Sequence, residues 1–262
     1  MISVLLSTFI AVAPFDHSPW DQFLKKFVND KGKVNYAAAQ KDPSLLDAYL
    51  QKIKEIPAGE LEGWLREERM ALWINAFNAG VVRLVLKHYP AKTVMEIPGF
   101  WEEQAIEVGT QSKEKGGKAN LFSLGQIEDN ILRQSFRDEK ILFALSKGAR
   151  GSPRLRPEAY NGPQLEGQLY LATREFVNRE DQNQIDPVKK KVVLSRIFKW
   201  HAADFLFNWG DFPEPPKWRP EEMAVLSFFA HYLEDPKKVE FLKEGEYKVK
   251  YETFDWDLNA QR

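Results

Sequence analysis

No cysteine occurs among the 262 residues. That excludes a thiol nucleophile, a thiolate metal site and any disulfide, and it leaves the redox compartment open. Histidine is scarce too: only His17, His88, His201 and His231 offer an imidazole. Net charge is nearly absent, with 37 basic side chains against 38 acidic ones, so no global field draws the chain to nucleic acid or to an anionic membrane. Beyond the N-terminus, no apolar run reads as long enough to cross a bilayer. What the chain has is aromatic mass. Eight Trp and 18 Phe imply an aromatic-rich core with rings left over for a groove.

The first residues, MISVLLSTFIAVA, form an uncharged apolar run too short to span a membrane. Ala11-Val12-Ala13 fits a small-residue cleavage site, so residues 1–13 read as a signal peptide and the product as secreted or periplasmic. No Lys or Arg precedes the run, and the alternative is a buried N-terminal helix of a cytoplasmic protein. Residues 14–262 read as one domain.

Helical spacing is plain in several places. Ser18-Pro19 opens a helix carrying Trp20, Phe23, Leu24 and Phe27, with Ser18 as its cap. A second helix runs from about Pro43 to Ile56. The strongest pattern covers Glu67 to Tyr89, where Met70, Trp73, Ile74, Phe77, Val81 and Leu84 share a face and Pro90 stops the helix. Residues 105–108 read as a strand, 111–120 as a hairpin loop, and Ser123 with Gln126 as a capping box for a helix over 125–136. Later come a helix over 163–178, a hairpin around Pro187 to Lys191, a helix capped by Ser195, a helix from Pro220 and a strand near Tyr247–Tyr251. The lysines of the hairpin read as a solvated turn. Asp211 to Pro220 reads as a proline-rich surface loop. The fold class predicted is α+β: one mixed, helix-rich domain with a small antiparallel or mixed sheet.

The candidate site is the stretch Ile141 to Tyr160, ILFALSKGARGSPRLRPEAY. Its apolar start reads as a buried strand, and Lys147, Arg150, Arg154 and Arg156 crowd the small residues that follow. Arginine's planar fork suits carboxylate or phosphate. The competing reading pairs these cations with internal acids such as Glu128, Glu158 or Asp204. Asn75 and Asn78 lie one turn apart on the long helix, where they either fix a neighbouring loop or line a cleft. His201 and Asp204, also one turn apart, make half a metal site at most, and no metal or cofactor is predicted.

Five ordered segments together resemble one family. Ala71 to Asn78 is similar to its "WINAYN" helix, and Ile127-Glu128 with Ile131-Leu132-Arg133 to its "IEH-x-ILR" helix. Ile141 to Tyr160 resembles "IHFAL-x-C-A-x-x-x-CP-x-LR-x-EAY". Val193 to Phe205 resembles "LS-x-I-x-KW-x-x-x-DF", and Phe254 to Asn259 resembles "YDW-x-LN". The resemblance runs from about Phe15 to Asn259 and is to the domain-of-unknown-function family numbered 547, met largely in exported bacterial proteins and in plants. It implies two cysteines in the central loop, at positions taken here by Gly148 and Ser152. The family's two histidines are Leu142 and Asp129 here. A papain- or transglutaminase-like core, which the resemblance also implies, would have to work without its thiol.

The reading that follows is an exported protein without thiol catalysis. It binds a small or peptidic anionic ligand between the asparagine helix and the arginine loop, through Asn75, Asn78, Glu128, Lys147, Arg150, Ser152, Arg154 and Arg156. The alternative is a hydrolase or transferase on a peptide or amide bond with Ser152 as nucleophile, for which no matched histidine supplies a base. A third reading makes the arginines braces and the surface a partner-binding face.

Overall fold

The computed structural model describes residues 14–111, 118–210 and 218–261, and the segment read as a signal peptide lies outside them. The chain opens with helices α1 (Ser18–Phe27), α2 (Tyr36–Lys41), α3 (Ser44–Lys54) and α4 (Arg66–His88). A hairpin of β1 (Ile106–Thr110) and β2 (Ala119–Phe122) follows, then a π-helix at Gln126–Phe136 and α5 (Leu165–Val177). Next come β3 (Gln184–Asp186), β4 (Lys191–Leu194), α6 (Arg196–Trp200), α7 (Leu206–Trp209), α8 (Pro220–Tyr232), α9 (Pro236–Glu244) and β5 (Lys248–Tyr251). Strand β4 pairs antiparallel with β3 and parallel with β5, so the small sheet is mixed. The fold is helix-rich α+β.

Two apolar cores are packed side by side. Trp20, Phe23, Tyr49, Phe77 and much of α4 fill the first. Phe176, Phe198, Phe205, Phe228 and Phe229 fill the second, where Phe143 stacks on Phe228 with ring centroids 5.5 Å apart. Residues 141–149 bind the two together: Ile141, Ala144 and Leu145 enter the first core, and Leu142, Phe143 and Ala149 the second. This division corrects the strand expected at Ile141. The run is a 3₁₀ turn, Glu139–Phe143, which Asp138 caps by accepting from Lys140 N–H at 3.0 Å. Its apolar residues are continuous because both sides of the turn are buried.

Other expectations shift locally. At the start of α1 it is Asp16, not Ser18, whose carboxylate caps, accepting from the Ser18 N–H at 2.9 Å. The capping box forms reciprocally: Gln126 N–H donates to Ser123 Oγ at 3.1 Å and Ser123 N–H to Gln126 Oε1 at 2.9 Å. The helix it starts is wound as a π-helix, a rare geometry that concentrates at functional sites. Helix α4 is long and apolar enough to cross a membrane by length and composition. Yet 89% of its most apolar window is buried inside the protein, which is the pattern of a core helix.

The loop Ser146–Tyr160 is buried over most of its length and has no sheet to pair its backbone, so side chains do that job. Asn78 Nδ2 donates to the Ala144 carbonyl and Asn78 Oδ1 accepts from Ser146 N–H, both at 2.9 Å. Asn75 treats Tyr160 alike, donating to its carbonyl at 2.7 Å and accepting from its N–H at 3.0 Å. Gly148 turns the chain with φ +70°, and a Cβ there would meet Val81 and Val94 of the first core at 3.1 and 3.2 Å. Asn78→Ala strands two buried backbone groups and should lower the unfolding free energy by about 2–4 kcal/mol, read by denaturant titration. A loss under about 0.5 kcal/mol would show that the loop holds itself.

Candidate functional site

The loop presents its charged residues to different places. Lys147 (on one side) reaches a cleft between the two cores, while Arg150, Ser152 and Arg154 border a groove of about 440 Å³ on the other. Arg156 joins neither and pairs with Glu158 at 2.7 Å. Asn75 and Asn78 line neither cavity among the described residues; their amides are spent on the loop backbone. The cleft expected between α4 and the arginine loop is therefore filled by that packing.

The groove is built by three segments that the loop draws together. A turn at Asn29–Lys33 brings Lys31 and Lys33, and Gly32 at its tip (φ +69°) lies so close that a Cβ would stand 2.6 Å from Arg154 Cβ. Arg179 comes from the end of α5; its Nη1 donates to the Ser152 carbonyl at 2.9 Å, and its Nη2 to Asp181 at 2.8 Å. The chain returning to its end supplies Glu252, Asp255 and Asn259. Five cations thus face three carboxylates, Asp181, Glu252 and Asp255. Arg150 pairs with Asp257 at 3.2 Å and Arg154 with Glu175 at 2.9 Å, all four side chains at least a third exposed. Lys31 and Lys33 pair with no acid among the described residues. Ser152 is buried and its hydroxyl donates to the Ala149 carbonyl, with no base in reach. It braces the turn, and the serine-nucleophile reading loses its geometry.

In the cleft, both oxygens of Glu128 hold the Lys147 ammonium, Oε1 at 2.5 Å, and both side chains are buried. Glu128 therefore meets a loop lysine rather than a loop arginine. The Lys147 Nζ also sits 5.3 Å from the Trp101 ring and 5.7 Å from the Phe77 ring, where the ring faces favour a cation. From Glu128 the polar chain continues: His201 Nε2 lies 3.6 Å from Glu128 Oε1, and His201 Nδ1 3.8 Å from Asp204 Oδ2. Arg133 grips Asp204 through Nε at 2.6 Å and Nη2 at 3.0 Å, and also reaches Asp129. Asp204 is thus occupied by an arginine rather than offered to a metal.

Position 147 also corrects the loop alignment. In the motif "IHFAL-x-C-A", the first five letters cover Ile141 to Leu145 and the spacer takes Ser146, so the cysteine falls on Lys147 and the alanine on Gly148. Gly148 could not have been a nucleophile's position, since its left-handed φ and its contact with Val81 leave no room for a side chain. His201, weighed in the sequence only as half of a metal site, completes the cleft with Trp101, Trp200 and Trp256; these tryptophans, and Lys31, Lys33 and Arg179 of the groove, were not singled out as site residues. They lie in distant segments, and only the surplus of tryptophan signalled a groove.

Burial holds the His201 imidazole down to about 3, with the Lys147 and Arg133 charges adding to the effect against Asp204 and Asp129. His17, enclosed beside Tyr49 and Asn75, is held down to about 4, again by burial, with Asp16 opposing and Lys52 adding to it. Both imidazoles are neutral in the folded protein at pH 7. Their folded values lie below the unfolded 6.5, so their contribution is present above pH 6.5 and lost as pH falls toward 3. Each accounts for up to about 1.4 kcal/mol per pH unit in that window. His201→Gln should flatten the loss of stability between about pH 6 and 4; an unchanged slope would place the imidazole in solvent.

Residues 61–177 match the model of a protein family, and the match takes in α4, the π-helix, the loop and α5 while ending before Trp200, His201 and Trp256. No curated protein and no solved structure matches the chain. The matched family is described as a protein of unknown function, DUF547, and it is this family that residues 61–177 are similar to.

Proposed function

We propose that this protein is a binding protein that takes a small or peptidic anion in the groove beside Arg150 and Arg154, and that it does no thiol chemistry. The observation that carries the reading is the charge of the groove: five cations converge on it, and two of them, Lys31 and Lys33, have no acid partner among the described residues. The arginine pairs do not oppose it. Ion pairs between exposed groups are worth about 0–1 kcal/mol, so an incoming carboxylate or phosphate exchanges for Asp257 or Glu175 at little cost. Arginine's fork then takes two oxygens of the ligand at once.

The chemistry of Ser152 and Lys147 supports binding over catalysis. The serine is committed to a backbone carbonyl, and a lysine pinned by both oxygens of Glu128 is a structural cation. The test is a thermal-shift and calorimetric titration with inorganic phosphate, citrate and a glutamate-rich peptide. At least one should bind, weaken with rising salt, and lose tenfold or more affinity in Arg154→Ala with Lys33→Ala. If none binds in low salt, or the double variant binds equally, the reading fails.

Export is part of the same reading. It is supported by the uncharged apolar start and the Ala11-Val12-Ala13 site, and it predicts a mature chain beginning near Pro14 when the full-length protein is expressed in a secreting host. Mass spectrometry of the product decides: an intact Met1 in the cytoplasmic fraction alone would reverse it.

A further inference from the structure

The cleft over the Lys147–Glu128 pair holds about 270 Å³ and is walled by Trp101, Trp200 and Trp256. Trp200 and Trp256 stack with centroids 5.8 Å apart, and Trp101 stands against Trp256 edge-on at 6.3 Å. Leaving indole surface in water is costly, and Trp200 stays 42% exposed. None of the three indole N–H groups has a protein acceptor among the described residues. Three tryptophans gathered from residues 101, 200 and 256 around one opening, with their donors unspent, are more than core packing requires.

The electrostatics of the cleft narrow the ligand. Its cation, Lys147, is cancelled by Glu128, and of its remaining acids Asp129 is met by Arg133. The His201 imidazole is neutral at pH 7. No unpaired cation is left over to draw an anion, in contrast to the groove. A cationic guest is disfavoured because the place over the Trp101 ring is already filled by the Lys147 ammonium. What remains are flat aromatic faces, carboxylate and imidazole acceptors at the base, and free indole donors at the wall. The volume lies just under the roughly 300–1,000 Å³ of pockets for drug-sized ligands, which suits one ring at a time.

From this we infer that the cleft is a carbohydrate-binding subsite for a neutral pyranose ring. The ring lies with its C–H face on an indole and hydrogen-bonds its hydroxyls to Glu128, Asp129 and His201. Uncharged donors and acceptors on the ligand satisfy groups that an apolar side chain would strand. The inference rests on the cleft alone and not on the anion groove.

Tryptophan fluorescence and calorimetry with cellotetraose, chitotriose and maltotriose, up to about 10 mM so that sites with roughly millimolar affinity fill, test it on the full chain. At least one neutral sugar should give a saturable spectral change. Trp200→Ala should weaken it tenfold or more, as for an aromatic anchor, and Trp200→Phe should restore part of the loss. Arg154→Ala with Lys33→Ala should leave sugar binding unchanged, so a failed anion reading and a failed sugar reading are told apart. Three outcomes overturn the inference: no saturable response to any of the sugars, a response that survives Trp200→Ala, or displacement of the sugar by choline or by a phenylalanine-bearing peptide that binds more tightly.

Discussion

A long irregular loop at the centre of the protein must have its backbone hydrogen bonds made by something other than a sheet, and the architecture follows from how that is done. Backbone groups buried without partners cost about as much as the bonds they forgo. Asn75 and Asn78 meet the loop from α4 with two bonds each, imitating the two-bond exchange of paired strands. Gln168 does the same from α5, donating to the Ala159 carbonyl and accepting from Asn161 N–H. The chain end closes the set, since Asp257 and Asp255 carbonyls accept from Arg150 and Gly151, and Asn259 N–H donates to Gly148. Helix α4, α5 and the last ten residues are therefore placed relative to one another by the needs of one loop. The same last segment carries Trp256 to the cleft and Asp255 to the groove, which makes both cavities products of the loop's satisfaction.

The ion pairs of the loop divide by burial, and burial decides what each can do. Arg150 and Arg154 make exchangeable contacts with half-exposed acids. Lys147 and Glu128 are another matter, because taking two charges out of water is offset only while both are present, and deleting one partner of such a pair costs about 3–5 kcal/mol. This explains why the lysine position is stable as a structural feature and poor as a reactive one. Its amine stands at the loop position where the family motif has cysteine, and the carboxylate that fixes it belongs to the π-helix. Arg133, one π-turn further along, ties that helix to Asp204 and so to the segment carrying Trp200 and His201.

Where periodicity carried the information, the sequence was a sufficient guide. The stripes of α1, α3, α4, α5 and α8 bury one face or are wholly enclosed, and the β3–β4 hairpin is announced by its turn. The misses share a cause. Ile141 to Leu145 is apolar throughout because the two cores share its residues between them, and continuity alone cannot tell such a turn from a strand. Over the eleven residues of the π-helix the difference in winding is too small to show in a pattern. Short α2 and α9 carry few apolar positions, and neither was foreseen. Within the site, Glu128, Lys147, Arg150 and Arg154 were visible because charged residues in an apolar setting stand out. The surplus of tryptophan pointed to a groove, but nothing local reveals that Trp101, Trp200 and Trp256 are the three that share an opening.

The asymmetry between groove and cleft bears on how one loop borders two different cavities. Between Lys147 and Arg150 the chain turns at Gly148, whose left-handed φ lets successive side chains leave on opposite sides without moving the buried backbone. Charge is then sorted by depth. The cation nearest the two cores is neutralised, because an unpaired ammonium there would be expensive; those nearer solvent keep their field, because water lowers the cost of leaving them loosely matched. Cations without an acid partner among the described residues on the exposed side, and none on the enclosed side, are what desolvation alone would select. The same ordering leaves two lysines without an acid partner among the described residues at the groove and a paired lysine in the cleft.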